Sequence, residues 1–230
     1  MAKFLHVILP VLICAMLVLT GCTSEKPKES IPAPATAVVT PLPTTPAQSF
    51  ESIPPSPISA SEREDIIYLQ EAEKCDHDLN FALANQRPTV PLFRSIADTT
   101  QVAMVTDNVI LERYNISNPE SQAEGKFTSQ KLQRMYDTGV SSGSMSVTSA
   151  LNSSAGYEDL HIADLVAAIG RTDNEDLKFI YQQELIISRN NLRDLVKTMA
   201  PYGSAYSPRY LSPEYYEEII STPVEPMIWI

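Results

Sequence analysis

The sequence predicts an all-α fold, and three observations carry the prediction. Apolar residues recur at three- and four-residue spacing through four long stretches, the signature of amphipathic helices. Glycine is scarce, at 7 in 230 residues, and aromatic residues make up 7%, which disfavours a many-turned β-sandwich. No convincing strand pattern of alternating apolar and polar residues is present. Four long amphipathic helices must bury their stripes against one another, and a helical bundle with short accessory helices does this.

Taken in order, the chain opens with Met1-Ala2-Lys3 and a largely apolar run from Phe4 to Leu19, followed by Thr20-Gly21-Cys22. One positive charge, an apolar stretch and small residues make a secretory signal, expected over residues 1–21. The ending Leu19-Thr20-Gly21-Cys22 resembles the lipobox of prokaryotic lipoproteins, which implies cleavage before Cys22 and lipid on its thiol. The alternative is an uncleaved membrane helix, although the run contains Pro10 and is barely long enough to span. Either reading anchors the remainder at the membrane, outside the cytoplasm, and two lipid chains would hold it stably. Cys14 leaves with the signal, so Cys75 is the remaining free thiol, expected as a packed side chain with no disulfide partner.

Residues 22–60 hold nine prolines among Thr, Ser and Ala. Such a segment buries too little apolar surface to offset its ordering entropy, so a disordered Pro-rich tether is expected there. The domain is then expected over 61–230. Its first helix runs from about Ser61, spaced from Glu64 as a capping box, to about Asn85, with Ile66, Leu69, Ala72, Leu79 and Leu83 on its stripe. Arg87-Pro88 and Pro91 break the chain. The second helix covers about Pro91 to Tyr114, with Phe93, Ile96, Ala97, Met104 and Leu111 aligned. After a loop with Pro119 and Gly125, a short helix spans about Ser129 to Thr138, closed by Gly139 and Gly143. The third long helix runs from about Ser144 to Ile169, with Gly156 as a kink point. The fourth runs from about Asp173 to Met199, capped by Thr172 or Asp173, and Pro213 to Ile220 forms one more short helix.

The formal charge is −11 and the pI about 4.7. Residues 1–60 balance Lys3, Lys26 and Lys28 against Glu25, Glu29 and Glu51, so all of the excess sits on the helical domain. A nucleic-acid partner would need a basic face to neutralise phosphates, and that class is excluded. A protein partner or an oligomer is compatible with this surface.

Chemistry is sought among the acids on the apolar stripes. At 100° per residue Glu158 projects near the centre of the third helix's stripe, and Glu184 does the same on the fourth, with Asn191 further along. Glu73 and Asp76 lie on the inner edge of the first helix. An ionised carboxylate in a dry core must be paired or bound to metal. One outcome is pairing of Glu158 or Glu184 with Arg189, Arg193, Lys178 or a tyrosine hydroxyl. The other is a metal, since Glu158-x-x-His161 places carboxylate and imidazole on adjoining turns of one face. Taken alone, His161 is expected on a polar flank and His77 on the surface. Asn-x-Ser sequons stand at Asn115 and Asn152.

A family resemblance rests on Glu73-Lys74 with Asp78, Ser95-Ile96-Ala97, Leu111-Glu112-Arg113-Tyr114 and Ile162-Ala163-Asp164-Leu165. Thr172-Asp173-Asn174-Glu175-Asp176, Ser188-Arg189-Asn190 and Tyr210-Leu211-Ser212 add to it. From about Glu64 to Ile220 the chain resembles a ferritin-like family catalogued as domain of unknown function 2202. The resemblance implies a ferritin-like four-helix bundle, with a di-iron site in many members. Glu73 and Glu158 retain the family's glutamates. Thr100 and Ala103 stand where the second helix offers Glu-x-x-His, and Asn191 stands where histidine follows Ser-Arg-Asn. The inherited dinuclear site therefore reads as eroded. The expected function is a lipid-anchored extracytoplasmic binding or structural module. The alternative is a metal-binding oxidoreductase or iron-handling protein, with iron or manganese on a site rebuilt from Glu73, Asp107, Glu158, His161 and Glu184.

Overall fold

The computed structural model describes residues 50–118 and 123–227. The expected signal peptide over 1–21, the lipid-bearing Cys22, the tether as far as residue 49 and Pro119 lie outside the described residues. Among the described residues the structure is all-helical and without strands. It comprises α1 (Ala60–Gln86), α2 (Pro91–Arg113), α3 (Gln130–Gly143), α4 (Val147–Arg171), α5 (Glu175–Met199) and α6 (Pro213–Ser221), with 3-10 turns at Phe50–Ser52 and Ala200–Tyr202. None of these helices is long and apolar enough to cross a membrane.

Local chemistry sets the helix ends, and tertiary contacts choose between equivalent signals. The capping box of α1 is Ser59 with Glu62, two residues before the expected Ser61 with Glu64. Glu62 N donates to Ser59 Oγ over 3.2 Å, and Ser59 N donates to Glu62 Oε2 over 2.7 Å. The choice follows from Glu62 Oε1, which is buried and also accepts from Thr172 Oγ1 and Asn174 Nδ2. Pro91 opens α2 at its first position, where its missing N–H is no loss. Gly139 lies inside α3 and does not close it, whereas Gly143 is its last residue. A Cβ on Gly139 would come within 2.8 Å of Leu79, and one on Gly143 within 2.2 Å of Leu83, so the two glycines let α3 lie close on α1. α4 continues through Gly156 as one helix. Ahead of α5, Thr172 Oγ1 accepts from Asn174 N over 3.1 Å.

The four long helices close a ring: α1 packs along α2 and α4, and α5 packs along α4 and α2. α3 covers α1 and α4, and α6 packs on α5. Leu79, Leu83, Phe93, Leu151, Ile162, Leu165, Leu177 and Leu192 are fully buried, each contributing roughly 1.5–3 kcal/mol by leaving water. α2 turns Ile96, Thr100, Ala103, Asp107 and Ile110 inward. Met104, placed on the stripe by spacing, is half-buried, and Val102, Val105 and Val109 face outward.

Polar pins lock the periphery. Asp159, fully buried, accepts from Tyr206 Oη, Arg209 N, Tyr210 N and Leu211 N at 2.6–3.1 Å, which fixes the segment before α6. Arg189 and Arg193 both grip Glu225, and Asn190 Nδ2 donates to Glu225 O over 2.9 Å. Arg113 sits 3.8 Å above the Phe50 ring, donates to Ile53 O over 3.0 Å and pairs with Asp176. Phe50 and Ile53 are buried, so the tail end of the Pro-rich segment packs on the domain. Burial of these two apolar side chains offsets the ordering entropy that composition alone leaves unmatched.

Candidate metal centre

The interior of the ring is polar at mid-height. Glu73, Asp76 and Asn80 follow one another on the inner face of α1 at helical spacing. α2 contributes Thr100, Ala103 and Asp107, α4 contributes Ser154, Glu158 and His161, and α5 contributes Glu184, Ser188 and Asn191. All are buried, Asn80, Thr100, Ser154 and Glu158 completely.

These groups fall into two halves. In the first, Glu73 Oε1 and His161 Nε2 lie 2.8 Å apart. Glu184 joins them, with one ligand atom from each of the three residues within 4.8 Å of the others. Asp107 hydrogen-bonds Glu184 from α2. His161 Nδ1 and Glu184 Oε2 have no hydrogen-bond partner among the described residues. His161, expected on a polar flank, is 1% exposed, because α4 turns it onto Glu73 and stacks it against Tyr157.

In the second half, protein donors fill both oxygens of Asp76 and one of Glu158. Asp76 Oδ2 accepts from Thr100 Oγ1 over 2.9 Å, and Asp76 Oδ1 accepts from Asn80 Nδ2 over 2.7 Å. Asn80 Oδ1 in turn accepts from Ser154 Oγ over 2.7 Å. Glu158 Oε1 accepts from Asn191 Nδ2 over 2.9 Å. Glu158 thus lies with Asp76 and Asn191, outside the set of three that converge.

Electrostatics favours protons here. Burial, then the charge of Glu73, pushes Asp76 up to about 7. Burial, then the charge of Asp76, holds Glu158 well above the usual carboxylate range. Burial, then the charge of Asp107, does the same to Glu184. Burial works against a charged His161, yet Glu73 outweighs it and raises the imidazole's pKa. Relief comes from His161, which pairs with Glu73 and lowers the pKa of Asp76; among the described residues no lysine or arginine forms an ion pair with these acids. Arg189 and Arg193 are taken by Glu225, and Lys178 by Glu175, so the pairing considered for Glu158 and Glu184 is not made with these residues.

The dinuclear iron group implied by the resemblance does not fit these residues. Thr100 and Ala103 offer no ligand pair on α2, and Asn191 offers an amide. Two of these replacements act as donors, with the Thr100 hydroxyl and the Asn191 amide already occupying oxygens of Asp76 and Glu158. The first half does fit one cation. Its three ligand groups, two carboxylates and an imidazole, converge, and an imidazole nitrogen and a carboxylate oxygen there lack partners among the described residues.

Spacing places Glu73, Asp76, Asp107, Glu158 and Glu184 on inner faces but gives no sign of Tyr181 as a polar group. Asp76 was legible from its three-residue spacing to Glu73, although its partner Thr100 lies on another helix. Tyr181 read as one more member of an apolar stripe, and nothing local marks its buried hydroxyl as polar in use.

Residues 62–223 match an uncharacterized protein domain, DUF2202. The uncharacterized protein MJ0754 of Methanocaldococcus jannaschii is 41% identical over 177 residues, 76% of this chain and 95% of that protein. The crystal structure of the hypothetical protein MJ0754 from Methanococcus jannaschii superposes with a TM-score of 0.73 at 40% identity, covering 76% of this chain and 99% of that one. A match over most of the helical domain, with a relative this similar and covered almost end to end, places this chain in the DUF2202 family.

Proposed function

We propose that this is a lipid-anchored, extracytoplasmic ferritin-like protein whose core holds a single transition-metal ion on Glu73, His161 and Glu184. The observation that carries the metal reading is the convergence of three buried ligand groups within 4.8 Å, with Glu184 Oε2 and His161 Nδ1 left without partners. Two carboxylates and one imidazole suit iron, manganese or zinc. Once bound, such an ion supplies Lewis-acid or redox chemistry inside a wall of apolar side chains. Asp107 orients Glu184, and Tyr157 packs His161 in place. The ferritin-like reading is supported by a four-residue link between α1 and α2 and one long crossover from α2 to α4, which carries α3. The Leu19-Thr20-Gly21-Cys22 pattern supports the anchor.

A second reading is a metal-free binding or structural module whose acids share protons. The Asp107–Glu184 hydrogen bond favours it, because two carboxyls bond each other only when one carries a proton. Metal analysis of the full chain purified from membranes decides between them. About one equivalent of iron, manganese or zinc per chain, lost on Glu184→Ala and on Glu73→Ala, supports the metal site. No metal above background in a folded chain selects the protonated module. Radiolabelled lipid that still enters the Cys22→Ser chain would refute the anchor.

A further inference from the structure

Between α5, α6 and the segment that follows α6 there is a cavity of about 310 Å³, the size of a small-molecule pocket. Its floor is buried and made of Arg189, Arg193 and Ile219, while Glu218, Thr222 and Pro223 stand exposed at its rim. The two guanidiniums share one carboxylate, Glu225. Burial would raise Glu225, but Arg189 and then Arg193 outweigh it and keep the carboxyl ionised. One positive charge is therefore left over in the floor, in a chain whose net charge is −11. Arg193 is nearly saturated, by Ile219 O, Asn190 Oδ1, Thr222 Oγ1 and Glu225 Oε1. Arg189 has donors to spare. Of its five N–H groups, Nε and one on Nη2 go to Glu225, and one on Nη1 reaches Tyr215 Oη over 3.3 Å. One N–H on each Nη has no acceptor among the described residues. Tyr215, beside Nη1, also lines the cavity, so that edge of the guanidinium borders it.

The geometry points to a binding site for a small monocarboxylate in this cavity, with Arg189 as its anchor. A guanidinium offers two edges that match a carboxylate, Nε with Nη2 and Nη1 with Nη2. Glu225 takes the first, and the ligand takes the second, receiving one N–H from each Nη. The charge left over in the floor favours an anion over a neutral molecule of the same shape. Ile219, Pro223 and the ring of Tyr215 supply apolar walls for a short hydrocarbon body. Phosphate would set further charged oxygens against those walls, and Glu218 on the rim repels a second negative charge. The site lies on the α6 side of α5 and does not depend on the metal reading.

Calorimetric titration of the full chain with sodium benzoate, near neutral pH and in detergent, tests this. The expected dissociation constant is about 1 mM or lower, at least about tenfold tighter than for benzamide or inorganic phosphate. Arg189→Lys keeps the charge but has no fork, and should weaken benzoate at least about tenfold. Glu225→Gln removes the neighbouring negative charge and should tighten benzoate at least about threefold. No benzoate binding in the wild type overturns the inference, as does benzamide or phosphate bound as tightly. Benzoate bound equally well by Arg189→Lys also overturns it, because the anchor would then lie elsewhere. If circular dichroism shows Arg189→Lys unfolded, Glu225→Gln decides. Tighter binding there supports the site, and unchanged or weaker binding overturns it.

Discussion

Glu158 and Asp159 are neighbours on α4, both fully buried, and they belong to two different regions of the molecule. Asp159 faces the periphery and receives four donors, three of them backbone N–H groups. Glu158 faces the centre of the ring and receives one side-chain amide on Oε1, with Oε2 bare. Glu62 repeats the peripheral pattern, with donors from Ser59, Thr172 and Asn174. Glu184 repeats the central one. Burial therefore does not mark a functional acid here. A pin has its lone pairs filled by the fold, whereas the central acids keep oxygens that only a proton, a water or a cation can fill.

The contrast is broken most severely at a pin. Asp159→Ala strands four donors and should lower stability by about 3–5 kcal/mol, as removal of one partner from a buried charged network does. Urea denaturation measures it, and a loss under about 1 kcal/mol would erase the distinction between the regions.

The two regions also respond to pH with opposite sign. Burial raises Glu62, but the hydrogen bonds from Thr172, Ser59 and Asn174 outweigh it and hold the group at about 2. Its stabilisation is present above about pH 4.5 and lost as pH falls toward 2. Asp76 is raised to about 7 from 3.8, so its protonated form is the one folding favours. That contribution is present below about pH 4 and lost as pH rises through 7. The metal-free Tm should fall by several degrees between pH 5 and 8, with a smaller slope in Asp76→Asn. Metal should reverse the trend, because ligands must lose protons to bind. Thermal scans with and without chelator decide this.

A finer test lies at the centre. At pH 8 without metal, Glu184→Gln should raise stability by about 1 kcal/mol, since it removes a carboxylate with no cationic partner. In the same variant metal affinity should fall at least about tenfold, read by competition with a metal indicator. Stability and affinity that fall together would place Glu184 among the pins. The smallest effect calibrates the scale. Arg171 pairs with Asp65 at 2.7 Å but is half exposed, so Arg171→Ala should change stability by about 0.5 kcal/mol or less.

Much of this was legible in the chain itself. Apolar spacing and prolines located the six helices to within a few residues. The inward acids Glu73, Asp107, Glu158 and Glu184 stood out because each occupies a position where an apolar residue is due. The stretches Thr172 to Asp176 and Tyr210 to Ser212 carried the family resemblance without a visible role. The structure gives them one, as partners of Glu62, Arg113 and Asp159. Gly139 misled, because a glycine that ends a helix and one that admits a neighbouring helix look alike in sequence.

Helix number and helix faces were determined by the sequence alone, because periodicity and breakers act within a few residues of one another. Which acids meet was decided only by the tertiary structure. Glu73 and His161 are 88 residues apart, and Glu62 and Thr172 are 110 apart. Their encounters depend on the rotation of each helix in the ring and on which neighbouring side chain reaches a lone pair first. That competition separates Glu158, held by Asn191 and set beside Asp76, from Glu184, which turns with Glu73 and His161 toward a place for one ion.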